Sequence, residues 1–169
     1  MMNQREFAQS CREYEGKFDT GYRAVEGAVR PSGKEEWKHG LAKYIIVKLM
    51  KENVPIIDIP HIMGLFIKDI IGNKELYCSK SNPIIFKNPL SAASEWLNTT
   101  ELQKTSYPKW YSPRVFTEVR IGKNVFDIVA LTLDGAYVCE IADSEDGKSL
   151  KRKERNAVNL GFKFVEVRC

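Results

Sequence analysis

The sequence is short of the residues that build metal-thiolate or imidazole sites. Its four cysteines, Cys11, Cys78, Cys139 and Cys169, lie far apart with no C-x-x-C pair, and it has two histidines, His39 and His61. That spacing argues against a zinc site and implies free, buried thiols in a reducing compartment. Long apolar runs are lacking too. The most apolar stretch, residues 54–71, is interrupted by Asp58, Pro60, His61, Lys68 and Asp69, so no membrane span and no membrane partner is expected. The amino terminus has no apolar segment of the secretory kind, and the expected location is intracellular. There are no internal repeats or low-complexity segments. What remains is ordinary globular material: 169 residues, 43% apolar and 28% charged, enough for one domain with a core. Lys and Arg outnumber Asp and Glu by 26 to 22, and the net charge of +4 leans toward a polyanionic partner.

Hydrophobic periodicity divides the chain into four parts. Residues 1–33 form an amino-terminal helical extension, with Phe7, Cys11, Tyr14 and Phe18 at helical spacing over one or two helices between 3 and 28. Pro31-Ser32-Gly33 breaks the chain, and Ser32 with Glu35 forms a capping box for a helix over 34–53. Its apolar face carries Trp37, Leu41, Tyr44, Ile45 and Leu49, and Ile46, Val47 and Met50 widen it, as in a helix buried on more than one side. Residues 54–113, which carry Pro83, Pro89, Pro108 and Pro113, read as an insertion or lid-like part of the same globule. Short helices are expected there from Asp58-Pro60 to Gly72 and over 91–103. Residues 114–169 alternate as strands over 114–121, 124–133 and 136–142, joined by two-residue turns at Gly122-Lys123 and Asp134-Gly135. A basic helix over 148–160, stopped by Gly161, and a last strand over 162–167 complete an α/β layout with a mixed sheet.

Strand parity concentrates the chemistry. A turn at Asp134-Gly135 sets Leu133 against Ala136 and, counting back, Asp127 against Ala142 and Val129 against Glu140. Asp127 and Glu140 are then diagonal neighbours on one face. A turn at Gly122-Lys123 sets Glu118 directly against Asp127. Three carboxylates, with Cβ atoms roughly 5–7 Å apart, repel one another unless a cation lies among them, and oxygen donors of this kind suit Mg²⁺ or Mn²⁺. The same pattern on a half-covered sheet is ordinarily a solvated face. Here the flanks, Phe126-Asp127-Ile128-Val129-Ala130 and Val138-Cys139-Glu140-Ile141-Ala142, are apolar enough for central strands. Buried acids need a partner, and neither strand carries a basic one.

These two runs, with Asp127 and Glu140 thirteen residues apart around a hairpin, resemble the PD-(D/E)XK nucleases, the restriction-endonuclease-like superfamily. The likeness covers roughly the last 60 residues well. It implies an αβββαβ core and a divalent-metal-dependent endonuclease that hydrolyses phosphodiester bonds in DNA, in preference to RNA. Asp127 and Glu140 would hold Mg²⁺ or Mn²⁺ with Glu118 and the Ile141 carbonyl. Two positions depart from the pattern: Phe126 stands where a proline is usual, and Ala142 where the motif has its lysine. Some relatives supply that lysine from the next helix, where Lys148, Lys151 and Lys153 are available; Lys153, nearest the buried stripe, is preferred and Lys151 lies on the other flank. Glu36 is the choice for the superfamily's helical acid, with Glu35, Glu95 and Glu101 as alternatives. His39 reads either as a ligand or as a structural residue.

Lys148, Arg152 and Arg155 on the basic helix, with Lys123 in the first turn, are candidate phosphate contacts; the same charges also describe a solvated helix face. Tyr107, Trp110 and Tyr111, interleaved with Lys104, Lys109 and Arg114, suit either base stacking or the anchoring of a loop on the core. The missing lysine at 142 motivates a second functional class, a catalytically degenerate module that binds nucleic acid or a protein without cleavage. The amino-terminal helices could serve a homodimer.

Overall fold

The computed structural model describes residues 2–19, 25–26, 37–72, 89–142 and 147–168. Glu35 and Glu36, the Ser32 cap, Cys78 and Cys169 lie outside the described residues. Helix α1 (Gln4–Glu15) opens with a capping box: the Glu6 amide donates to Asn3 Oδ1 at 2.9 Å and the Asn3 amide donates to Glu6 Oε1 at 3.1 Å. Residues 25–26, expected within a helix, instead form a short strand β1 (Val25–Glu26), paired antiparallel with the first long strand. The residues on either side of this pair up to 36 are outside the description, so the correction concerns these two positions.

Helix α2 (Trp37–Lys51) buries Leu41, Ala42, Ile45, Ile46, Val47, Leu49 and Met50, more than one face. It stops in a Schellman arrangement, with the Val54 amide donating to the Leu49 carbonyl and the Asn53 amide to that of Met50. Asn53 takes the left-handed conformation, φ 64°, that this cap requires. Helix α3 (Ile59–Phe66) has proline in its first turn and runs on through a π-helical turn, Ile67–Ile71, to Gly72. Helix α4 (Pro89–Thr99) follows. Strands β2 (Arg114–Ile121), β3 (Asn124–Thr132) and β4 (Gly135–Ala142) form an antiparallel meander. Helix α5 (Gly147–Asn159) then returns the chain so that β5 (Lys163–Arg168) lies parallel to β4. The sheet order is β1-β2-β3-β4-β5, four full strands and a short edge, mixed in direction.

Each sheet face has its own hydrophobic layer. One joins α2, α3 and α4 to Val115, Ile128, Ala130, Cys139, Ile141 and Val167. The stretch 54–113 is therefore not a lid over its described length: Ile59, Met63, Phe66, Ala93 and Leu97 are core residues. The opposite layer joins Phe7 and Cys11 of α1 and Ala157 of α5 to Phe116, Val119, Phe126, Val129, Leu131 and Val138. The apolar stripe of α1 is thus spent within the chain, which removes it as a dimerisation surface. Cys11 and Cys139 are free and buried. No helix among the described residues is long and apolar enough to cross a membrane.

The hairpin registers differ in one respect from the sequence reading. Between β2 and β3 the turn is Gly122-Lys123, closed by Ile121 opposite Asn124. Between β3 and β4 the closing pair is Thr132 and Gly135, so Leu133 and Asp134 make the turn. Leu133 is drawn into the core. Thr132 Oγ1 holds the turn by donating to the Gly135 carbonyl and accepting from the Asp134 amide. The shift slides β4 by two residues and places Glu140 directly opposite Asp127 rather than diagonal to it.

Candidate active site at the end of a broken ladder

Backbone pairing between β3 and β4 extends from Thr132–Gly135 only as far as Ile128–Cys139. At the next level side chains occupy the interstrand gap. The Asp127 amide donates to Glu140 Oε1 at 3.0 Å, and the Ile141 amide donates to Asp127 Oδ2 at 2.9 Å. Each carboxylate thus binds the backbone of the strand opposite its own. Alternation fails at this level as well. Phe116 and Val119 on β2, and Phe126 and Val129 on β3, face the same layer although three positions separate each pair. The two strands turn over together around Glu118, whose φ is 56°, and its opposite number Asp127. A left-handed glutamate is a strained backbone position, of the kind that concentrates at functional sites.

The expected shared face for 127, 129, 140 and 142 is accordingly replaced by a more particular geometry. Asp127 Oδ1 lies 3.1 Å from His39 Nε2 on α2, in one helical layer. Glu140 Oε2 lies 3.3 Å from Lys153 Nζ on α5, in the other. The basic partners absent from these two strands come from helices on both sides. Side-chain exposure is 16% at Asp127, 2% at Glu140 and 17% at Lys153, so these charges face one another with little water between. Burial raises the Asp127 carboxyl, but the hydrogen bond and charge of His39, the Ile141 amide and Lys43 outweigh it and hold the group below the usual carboxylate value. Burial and then the Asp127 charge push Glu140 up to about 7, against the opposing pull of the Asp127 amide and Lys153. Cys139, buried between them, is raised by burial and by both carboxylates, and so stays a protonated thiol.

Glu118 does not join the pair. Lys43, one helical turn beyond His39 on α2, forms an ion pair with Glu118 Oε1, and the Glu118 side chain is 44% exposed. Among the described residues no group of three or more His, Cys, Asp or Glu side chains converges closely enough to hold a metal ion. The three-carboxylate cluster expected from the sequence is therefore corrected to two carboxylates. Two still suit Mg²⁺ or Mn²⁺, which commonly take one or two protein carboxylates and complete their shell with water and phosphate oxygens.

Of the lysines weighed on α5, Lys153 is the one that reaches Glu140, while Lys151 is exposed. At 100° per residue Lys148, Lys151, Arg152 and Arg155 cluster on the side of α5 opposite Ala157 and Lys153, and all four are exposed. These phosphate-contact candidates point away from the carboxylates. Lys123 is exposed in the β2–β3 turn. Glu95 and Glu101 are exposed outside the gap. Ala142, at the motif lysine's position, is buried. Trp110 and Tyr111 pack against Phe7, Tyr107 packs against Tyr111 with ring centroids 4.5 Å apart, and the Tyr107 hydroxyl donates to Asp134 Oδ2 at 2.8 Å, so this trio anchors a loop at the far end of the hairpin. Lys104 pairs with Glu52 and Arg114 with Glu15.

Two neighbours of the site were given no role by the sequence reading. Lys43 could have been found from its i, i+4 relation to His39 on a helix otherwise buried there. Glu166 lies beside Glu140 in the parallel register and pairs with Arg168 at 2.8 Å. Glu118, Asp127, Glu140 and Glu166 thus form one rung across four strands, each with its own basic partner. Like charges opposed across a sheet destabilise it, so the rung is an electrostatic cost to the fold. No protein-family model, curated protein or solved structure matches the chain.

Proposed function

We propose that the chain is a divalent-metal-dependent endonuclease acting on DNA, with Asp127 and Glu140 as its metal-holding carboxylates and Lys153 in place of the motif lysine. The single observation that carries this reading is the interruption of the β3–β4 ladder by two electrostatically coupled carboxylates, with Lys153 Nζ 3.3 Å from one of them. From α4 onward the order is α4-β2-β3-β4-α5-β5, with β5 parallel to β4 and α2 and α3 preceding it; this helix-strand-strand-strand-helix-strand order resembles the αβββαβ core of the restriction-endonuclease-like fold and supports the same reading. When bound, Mg²⁺ or Mn²⁺ supplies positive charge at the phosphate and lowers the pKa of water. The protein's own part is distinct. Asp127, kept ionised by His39 and the Ile141 amide, offers a fixed anionic ligand. Glu140, whose carboxyl is pushed up to about 7, would serve as the second ligand to a cation that offsets its repulsion from Asp127. Lys153 provides a cation beside the pair, placed to orient water and to stabilise negative charge developing on the phosphate.

The test is a cleavage assay on labelled single-stranded, duplex and branched DNA, with Mn²⁺ and with chelator. The native chain should cut only with metal, and Asp127→Ala or Glu140→Ala should abolish cutting while circular dichroism remains native. Undiminished cleavage by either variant overturns the assignment. One observation favours a second reading, a nuclease fold that binds without cutting: every Asp127 and Glu140 oxygen already has a protein partner. Under it, DNA binding is equally tight in chelator and falls steeply with salt, and Mn²⁺ does not raise the melting temperature.

A further inference from the structure

The outer face of α5 carries basic side chains that no described part of the fold uses. Lys148, Lys151, Arg152 and Arg155 stand at i, i+3, i+4 and i+7, all exposed. At about 100° per residue they cover roughly 100° of the helix circumference, centred opposite Leu150, Lys153 and Ala157, and about 10 Å of its length. Among the described residues none of the four forms an ion pair. The one acid of the helix, Glu154, lies off this stripe. The placement works against the helix. Lys148 with Lys151 and Arg152, and Arg155 with the same two, set like charges one turn apart, which is unfavourable. The macrodipole favours cations in the last turn, which has no basic residue; Lys148 lies in the first turn, where the dipole opposes it. A face kept only for solubility would gain from interspersed acids, and this stripe has none.

Charge, and what the stripe lacks, select the partner. Leu150 and Ala157 are buried within the chain and Val158 is the one exposed apolar side chain of the helix, so no apolar face remains to enter a lipid surface. The helix has no aromatic residue, whereas protein interfaces centre on aromatic anchors and single-strand sites stack bases on aromatic rings. A duplex backbone requires only cations. Over about 10 Å a single strand offers about three phosphates and B-DNA about six, enough to meet all four side chains. Arg152 and Arg155 can each take two phosphate oxygens through the guanidinium fork.

We propose that the outer face of α5 docks the phosphate backbone of duplex DNA, about one helix diameter (roughly 10 Å) from the Asp127–Glu140 gap and separate from it. The choice of DNA over an RNA duplex rests on the nuclease reading; the preference for a duplex polyanion does not. Fluorescence anisotropy of a labelled DNA duplex with the full chain in chelator, where metal-dependent cutting is silent, tests this across salt concentrations. Four phosphate contacts contribute about −3.6 to the slope of log K against log salt, so affinity should fall about a hundredfold between about 50 and 200 mM. The combined variant Lys148→Gln, Lys151→Gln, Arg152→Gln, Arg155→Gln keeps good helix formers and should flatten the slope by about three to four, with native circular dichroism. A control variant, Arg5→Gln, Lys51→Gln, Lys68→Gln, Lys109→Gln, removes the same charge from scattered exposed positions and should change the slope by about one at most. A native slope in the stripe variant, or equal losses in the two variants, overturns the proposal. So does tighter binding to the single strand, to an RNA duplex or to polyglutamate. Stripe-dependent binding without cleavage in Mn²⁺ would sink the nuclease reading and leave this surface standing.

Discussion

The two ends of the β3–β4 hairpin are made from the same pair of strands and solve opposite problems. At the closed end Thr132 and Gly135 complete the ladder, Leu133 turns inward, and Tyr107 and Tyr111 pack beside the turn. Burial and aromatic contact there favour the fold with little charge at stake. At the open end the ladder stops one level short of Asp127 and Glu140, and backbone amides are satisfied by carboxylates that repel each other. The difference is informative because the two acids stand at the level where the ladder stops. They have basic partners drawn from both helical layers, and the proposed metal would relieve their repulsion.

Substitutions at the two ends should therefore separate activity from stability. The largest effect is at the open end, where Asp127→Ala should lower metal-dependent cleavage by about a thousandfold or more. At the closed end Tyr111→Ala should cost about 4 kcal/mol of stability through the cavity it leaves beside Phe7 and Tyr107. Chemical denaturation measures that loss, and the cleavage rate per folded molecule should be unchanged. A Tyr111 variant of native stability, or one whose folded fraction is inactive, would erase the distinction between the ends.

Glu140 allows a finer comparison through pH. Its carboxyl moves from an ordinary 4.5 to about 7 on folding, so between those values the folded chain holds more protons than the unfolded one. Stability must fall as pH rises through that window, and the penalty, about 3 kcal/mol, is complete above it. Glu140→Gln removes the penalty and should be more stable than the native chain at pH 8, with the advantage gone at pH 4. Asp127 contributes with the opposite sign: its lowered value lends stability that is lost only as acid protonates it. Thermal melts in metal-free buffer from pH 4 to 9 resolve the two windows, and a native chain equally stable at pH 5 and 8 would contradict the Glu140 assignment.

Much of this end of the molecule was legible in the sequence because it depends on local pattern. Alternating apolar residues locate β2, β3 and β4 to within a residue, and Gly122-Lys123 sets the β2–β3 register. The Asp-Gly signal misplaced the second turn by one position because Gly135, at φ 133°, closes the ladder instead of forming the turn. The error amounts to two residues of register, which preserves parity, and so Asp127 and Glu140 still came out adjacent. The broken alternation at Glu118 was not legible, since nothing in its type favours a left-handed backbone. Nor were the helical partners: which lysine of α5 meets Glu140 depends on how that helix rolls against the sheet, a tertiary quantity that periodicity only narrows.

Lys153→Met tests that contact with the smallest expected effect. Methionine keeps most of the buried chain length and removes the cation that opposes burial and Asp127 at Glu140. The Glu140 midpoint should then rise further, by about one pH unit. By the same linkage, the fall in stability continues to higher pH: the variant matches a neutral reference below pH 5 and lags the native chain most above pH 8. Carboxyl-carbon NMR of Glu140 reads the midpoint directly, and the melts read its consequence. If the midpoint stays where the native chain has it, Lys153 does not act on Glu140 in solution, and its place in the proposed chemistry falls with it, while the cross-strand bonds of Asp127 and Glu140 stand unaffected.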